Sequence, residues 1–203
     1  MSEIPNSIKL GVRLALLAFF AVLVQESAIS QITIFRVSAD ITPLVVMSVG
    51  LLCGSLTGAI FGFATGLLID LVLVQTLGVT SLLYIAIGYW SGRLHELRDP
   101  SHELVPLAGG ALASAFTGVG MALIQFLLGV DAPVSVLLLQ QIFVLVLVNT
   151  LIALPVHALV RRVLRPVLPE DPRRRRRRAY TTGGLSPLQQ GAARRGGVSR
   201  LQT

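Results

Sequence analysis

Few side chains in this chain have the chemistry of a catalyst or a metal ligand, and they stand apart from one another. His95, Glu96, His102 and Glu103 share the charged stretch RLHELRDPSHE at 93–103 and supply the imidazoles and carboxylates that a metal site uses. The Asp99–Pro100 turn between the two pairs, in an open and charged loop, makes a solvated loop the simpler reading. His157 stands four residues before Arg161 and reads as an interfacial side chain. Cys53 is the single cysteine, so the chain can form no internal disulfide, and it reads as a small buried hydrophobe. No nucleophile stands at a diagnostic spacing from a base. The glycines at 54, 58 and 62 lie in apolar sequence rather than between a strand and a helix, which excludes a phosphate-cradling loop. No catalytic residue, cofactor or metal is expected.

Asp70 is the ionisable residue to single out, because it interrupts a long apolar stretch. A carboxylate at membrane depth is costly unless it faces protein or water, so it is either part of an ion or ligand path or a structural partner. A relay needs several ionisable groups at one depth. Asp70 has only Glu26 and Arg36, near segment ends, as charged company. The structural reading is a carboxylate near the end of its helix that caps the following turn.

The elements that position these residues are apolar. Of the 203 residues 53% are hydrophobic and 13% charged, against about 25% charged in a soluble domain. Several runs approach the roughly 20 apolar residues that span a bilayer. They are continuous rather than alternating, which excludes a β-barrel. The chain reads as an all-α integral membrane protein with six transmembrane helices over 1–168 and a disordered, arginine-rich tail over 169–203. The helices are expected at about Leu10–Ser30, Ile41–Cys53, Leu56–Leu73, Val79–Leu94, Leu104–Gly129 and from near Val134 to Arg161–Arg165, with Pro155 kinking or breaking the last. Ser30–Ala39 is expected as an irregular or extended hook. The second helix is short for a span, with Pro43 in its first turn, and Gly54–Ser55 is the turn after it.

Charge gives the orientation. Six spans put Lys9, Arg13, Arg93, Arg98 and every arginine from Arg161 onward on one side, and only Arg36 on the other. Lysine and arginine accumulate on the cytoplasmic side, so both termini are expected there. Arg173–Arg178 (Arg173, Arg174, Arg175, Arg176, Arg177, Arg178) either contacts anionic lipid or stays solvated and fixes topology. Without interleaved aromatics or folded support it does not read as a nucleic-acid site.

Between Asp40 and Leu94 glycine recurs every fourth residue at Gly50, Gly54, Gly58, Gly62 and Gly66, and Gly88 and Gly92 bracket Tyr89 and Trp90. Glycine at this step flattens one helix face and lets helices pack closely in lipid. Gly58, Gly62, Gly66, Gly88 and Gly92 are therefore the candidate packing and partner-interface residues.

The ordered series GxxxGFxxGLLxDL ending at Leu71, then Leu77–Gly78, Tyr84 and the GYxxG at Gly88–Gly92, all after Asp40, resembles the rod shape-determining protein family MreD. The likeness covers about residues 8–165 and is most specific over 40–92. It implies family-motif polar and turn roles for Asp40, Asp70, Gly78, Tyr84 and Tyr89. It also implies a non-enzymatic protein of the bacterial cytoplasmic membrane that acts with the bitopic MreC, the actin-like MreB, the RodA glycosyltransferase and its transpeptidase partner in lateral peptidoglycan synthesis. The implied fold is similar to the S component of energy-coupling-factor transporters. That gives a second reading, a binder of a vitamin-type solute, which the scarcity of aromatic residues disfavours.

Overall fold

The computed structural model describes residues 6–29, 33–34, 37–38, 40–74, 76–97, 104–129 and 136–167. Arg36, Arg98, His102, Glu103, the 130–135 turn, the 169–203 tail with Arg173–Arg178, and the side chain of His95 lie outside them. Among the described residues there are six α-helices: α1 (Asn6–Val24), α2 (Thr42–Cys53), α3 (Ser55–Val72), α4 (Val79–Leu97), α5 (Leu104–Leu127) and α6 (Val136–Leu164). A wider π-helical turn, Gln25–Ile29, continues α1. Within the expected hook, β1 (Thr33–Ile34) pairs antiparallel with β2 (Val37–Ser38), Thr33 opposite Ser38.

α2 is the central post. Thr42 to Leu51 are all buried, and the helix packs on α3, α4, α5 and α6. A helix that is apolar all round is stable only inside a bundle, and at 12 residues α2 is about 18 Å long. Gly54, at φ 90°, ends it and starts α3 in one residue, a conformation that only glycine adopts without strain.

Four helical stretches are long and apolar enough to cross a membrane: Ile8–Ser27, Ser55–Val72, Val105–Leu127 and Leu138–Leu164. The expectation of six full spans is thus met in helix number, with four helices of spanning length and hydropathy. α2 is too short. α4 carries Thr80, Ser81, Ser91, Arg93, His95 and Glu96, which lower its hydropathy. α1 begins at Asn6, before the expected Leu10. α6 runs unbroken through Pro155, although the proline leaves the Leu151 carbonyl without its helical donor. Neighbouring helices and local adjustment make such a proline tolerable in an apolar helix.

The six helices share one basic end. Arg13 on α1 donates to the Val163 carbonyl near the end of α6 at 3.1 Å, and the α3 start meets the α4 end through Ser55 and Glu96.

Candidate functional site

The glycine series assembles into a seam between antiparallel α3 and α4, the most extensive helix contact in the chain. A methyl group added at Gly58 would overlap the Gly88 carbonyl, at Gly62 the Tyr84 carbonyl, at Gly66 the Ser81 backbone and at Gly92 the Ser55 backbone. Gly88 faces the Gly58 carbonyl in return. Four-residue steps along α3 are matched by three- or four-residue steps back along α4, so backbone meets backbone over the whole seam. Gly50 joins α2 to the same surface, against Ser91 and Gly88. This proximity maximises dispersion contacts, which replace the hydrophobic effect as the driving force between helices in lipid.

Each end of the seam carries a carboxylate cap. Asp70, fully buried near the end of α3, accepts from the amides of Gly78 at 2.7 Å and Thr80 at 3.4 Å. Gly78 immediately precedes α4 and Thr80 lies in its first turn, where helical N–H groups have no intrahelical partner. Gly78 takes φ 96° to aim its amide at the carboxylate. At the basic end the relation is reversed. Glu96, near the end of α4, accepts from the Ser55 hydroxyl at 2.6 Å and the Ser55 amide at 3.1 Å. Residue 54 is glycine and has no side chain to cap α3 itself, so α4 supplies the acceptor. The two Ser55 donors hold the Glu96 carboxyl below its ordinary range, aided by Arg93, which lies 3.6 Å away with its guanidinium 6.0 Å from the Tyr89 ring centre.

A polar knot fixes the head of α2. The Asn149 side chain accepts from the Asp40 amide at 3.1 Å and donates to the Asp40 carbonyl and the Ser114 hydroxyl, each at 3.0 Å. Gln25 accepts from the Ile41 amide at 2.9 Å, and the Asp40 carboxylate accepts from the Thr42 amide at 3.2 Å. α1, α5 and α6 are thereby tied to the first residues of α2. Tyr84 is buried beside this knot, within the electrostatic reach of Asp40 and Asp70.

On the other flank of α4 the packing opens. A groove of about 590 Å³ runs between α4 and α5. Met47 and Leu51 of α2 floor it, and Ala86, Trp90 and Leu94 of α4 face Leu112, Phe116 and Val119 of α5. Trp90 is 70% exposed and Leu112 68%, while the floor is closed. Gly109, Ala113 and Ala115 keep the α5 wall low.

The structure thus brings Gly58, Gly62, Gly66, Gly88 and Gly92 into one seam, places Asp70 and Gly78 at its end, and sets Asp40 and Tyr84 at the neighbouring polar knot. Tyr89 stands apart, half exposed under Arg93. Sequence reasoning missed Asn149, Ser114 and Gln25, and took Glu96 only for part of a charged loop. Among the described residues no three histidine, cysteine or acidic side chains gather as metal ligands.

No curated protein and no solved structure matches the chain. The family model described as rod shape-determining protein MreD matches residues 7–163, which hold the seam, both caps, the polar knot and the groove, and the chain belongs to that family.

Proposed function

We propose that this membrane protein serves rod-shape determination as a non-enzymatic scaffold, with the α4–α5 groove as the seat for the transmembrane helix of an MreC-like bitopic partner. The observation that carries this reading is the pairing of an open apolar groove with a rigid wall. α4 is locked on one side by the glycine seam, and its other side presents Trp90 and Leu94 uncovered. Exposed aromatic side chains beside low, small-residue walls make an anchor site for a helix. The groove lies within the apolar helices, so its occupant must itself be apolar, and a single membrane-spanning helix fits.

In this reading the six helices form the membrane domain with both termini cytoplasmic, since Lys9, Arg13, Arg93 and Arg161–Arg165 share one end. α2 and α4 complete the bundle although they are shorter or less apolar than the other four. The reading takes the six helices to follow the S-component type of arrangement. Arg173–Arg178 adds attraction to anionic headgroups. Through the bitopic partner the scaffold meets MreB, RodA and its transpeptidase and directs lateral peptidoglycan synthesis.

Filling the groove tests the proposal. Ala86→Phe with Ala115→Phe should leave a folded, monodisperse protein in detergent, abolish co-purification of the bitopic partner and turn rod-shaped host cells round. Retention of both complex and rod shape by the folded variant would refute the groove as the docking seat.

A further inference from the structure

α2, α5 and α6 meet in levels one helical turn apart. At the first level the Asn149 side chain of α6 bonds the Asp40 backbone at the head of α2 and the Ser114 hydroxyl of α5. At the second, a methyl placed on Gly110 of α5 would meet the Ala153 Cβ of α6 and, at 3.3 Å, a Leu44 methyl of α2. Between these levels the numbering rises by four on α2 and α6 and falls by four on α5, so α2 and α6 run parallel and α5 antiparallel to them. Gly118 of α5, which faces Leu145 of α6 at 3.7 Å, keeps the same pairing one turn further out. The third level, one turn nearer the basic end, is therefore Ser48 of α2, Pro106 of α5 and His157 of α6.

This level holds polar atoms that the protein does not pair. Ser48 is fully buried, Pro106 is buried, and His157 is half-buried with its Nδ1 inside. Ser48 Oγ and His157 Nδ1 have no hydrogen-bond partner among the described residues. Thr65, Thr117 and Thr150 each donate to the carbonyl one turn back, at 2.6–2.9 Å; Ser48 makes no such bond. Pro106 lacks an N–H and has no polar side chain. Buried polar groups pair with protein or with ordered water, and an internal water settles where two or more such atoms converge. Leu44, Gly110 and Ala153 close the level outward, and Val160 and Leu164 are buried toward the basic end, so a small ligand fits and a solute does not. We infer that Ser48 and His157 bind one internal water molecule, which accepts from the Ser48 hydroxyl, donates to His157 Nδ1 and so ties α6 to α2. Asn149 is long enough to join the helices directly at the first level; here water supplies the reach. Ser48 stands two residues from Gly50, on the side of α2 away from the face that meets α4. The site is thus separate from the glycine seam and does not depend on what docks in the α4–α5 groove.

The test uses the full chain in detergent. A map of the wild-type protein at a resolution that shows ordered water should place one water within hydrogen-bond distance of both Ser48 Oγ and His157 Nδ1. Nitrogen NMR at pH 8, above the ordinary histidine value of about 6.5, gives a readout that a merely structural serine would not move. The Nδ1 resonance of His157, assigned by its loss in His157→Gln, should have the shift of a hydrogen-bonded acceptor. It should move to that of a free nitrogen in folded Ser48→Ala and stay in place in Thr117→Val, a change outside this level. The wild-type map decides the matter if Ser48→Ala fails to fold. A direct Ser48–His157 hydrogen bond, a map with no water at this place, or an Nδ1 resonance unchanged in folded Ser48→Ala would overturn the inference.

Discussion

α4 has two sides, and they are built in opposite ways. Towards α3 it presents main chain: Gly88, Gly92, Ser81 and the Tyr84 carbonyl lie against Gly58, Gly62, Gly66 and Ser55, with no side chain between that could yield. Towards α5 it presents side chains. There Gly120 of α5 faces a Leu83 methyl, and elsewhere on α5 Gly109 and Gly118 likewise meet side chains, Met47 of α2 and Ile142 of α6. Gly110, which opposes the Ala153 Cβ, is the tight exception on α5. The first side is closed and capped at both ends by carboxylates. The second widens into a groove. A rigid seam fixes where α4 stands, and under the proposed docking the groove keeps its shape while a partner enters or leaves.

The closed side of α4 is most sensitive at Gly62. Even Gly62→Ala places a methyl on the Tyr84 carbonyl, and overpacking of this kind costs about 1–3 kcal/mol, more where backbone is the obstacle. We expect a large fall in the detergent midpoint of thermal unfolding, and loss of the folded species altogether for Gly62→Leu.

Next comes Asp70→Ala, which leaves the Gly78 and Thr80 amides unsatisfied. Loss of a helix cap costs about 0.5–2 kcal/mol, and Asp70→Asn should restore part of it in the same measurement. Glu96→Gln should have a smaller effect, because the cap at the basic end is open to solvent. The Glu96 carboxyl is held below its ordinary range of 4.5. Its contribution is therefore present above that value and is lost as pH falls through the lowered value, and unfolding midpoints measured from pH 7 down to 3 should converge for wild type and Glu96→Gln.

The smallest change should be Gly118→Ala. Its methyl would meet Ile142 at 3.4 Å, an ordinary contact, and the expected effect on stability is within about 0.5 kcal/mol.

Much of the seam was legible in the sequence, because close backbone approach in lipid requires small residues at fixed steps on both helices. Gly58, Gly62 and Gly66 gave one face, and Gly88 and Gly92 half of the other. The rest of the α4 face was hidden: Tyr84 and Ser81 contribute their main chain, and a carbonyl is the same in every residue. The break at Gly54 was legible from the glycine and from the shortness of the run before it. Asn149 was readable in principle, since an amide that interrupts a long apolar run, with only Thr150 as a polar neighbour, must find partners. What the sequence withheld was their identity, as Asp40 and Ser114 lie 109 and 35 residues away. The Glu96 cap was hidden by its charged surroundings, which made solvation the simpler reading. An outward groove for a partner helix was expected, but its place could not be read, because it is a space left between α4 and α5 by residues each unremarkable alone.

In the proposed function the open side of α4, and not the outer faces of α1 or α3, receives the partner helix. Site-specific photocrosslinking in living rod-shaped cells tests this directly, with a benzophenone side chain placed at Trp90 or Phe116 in the groove and at Ile60 on α3 or Phe20 on α1 as exposed apolar comparisons. The account predicts a crosslink to a single-span membrane protein from Trp90 and Phe116 and none from Ile60 or Phe20. Crosslinks from Ile60 or Phe20 with none from the groove would contradict it.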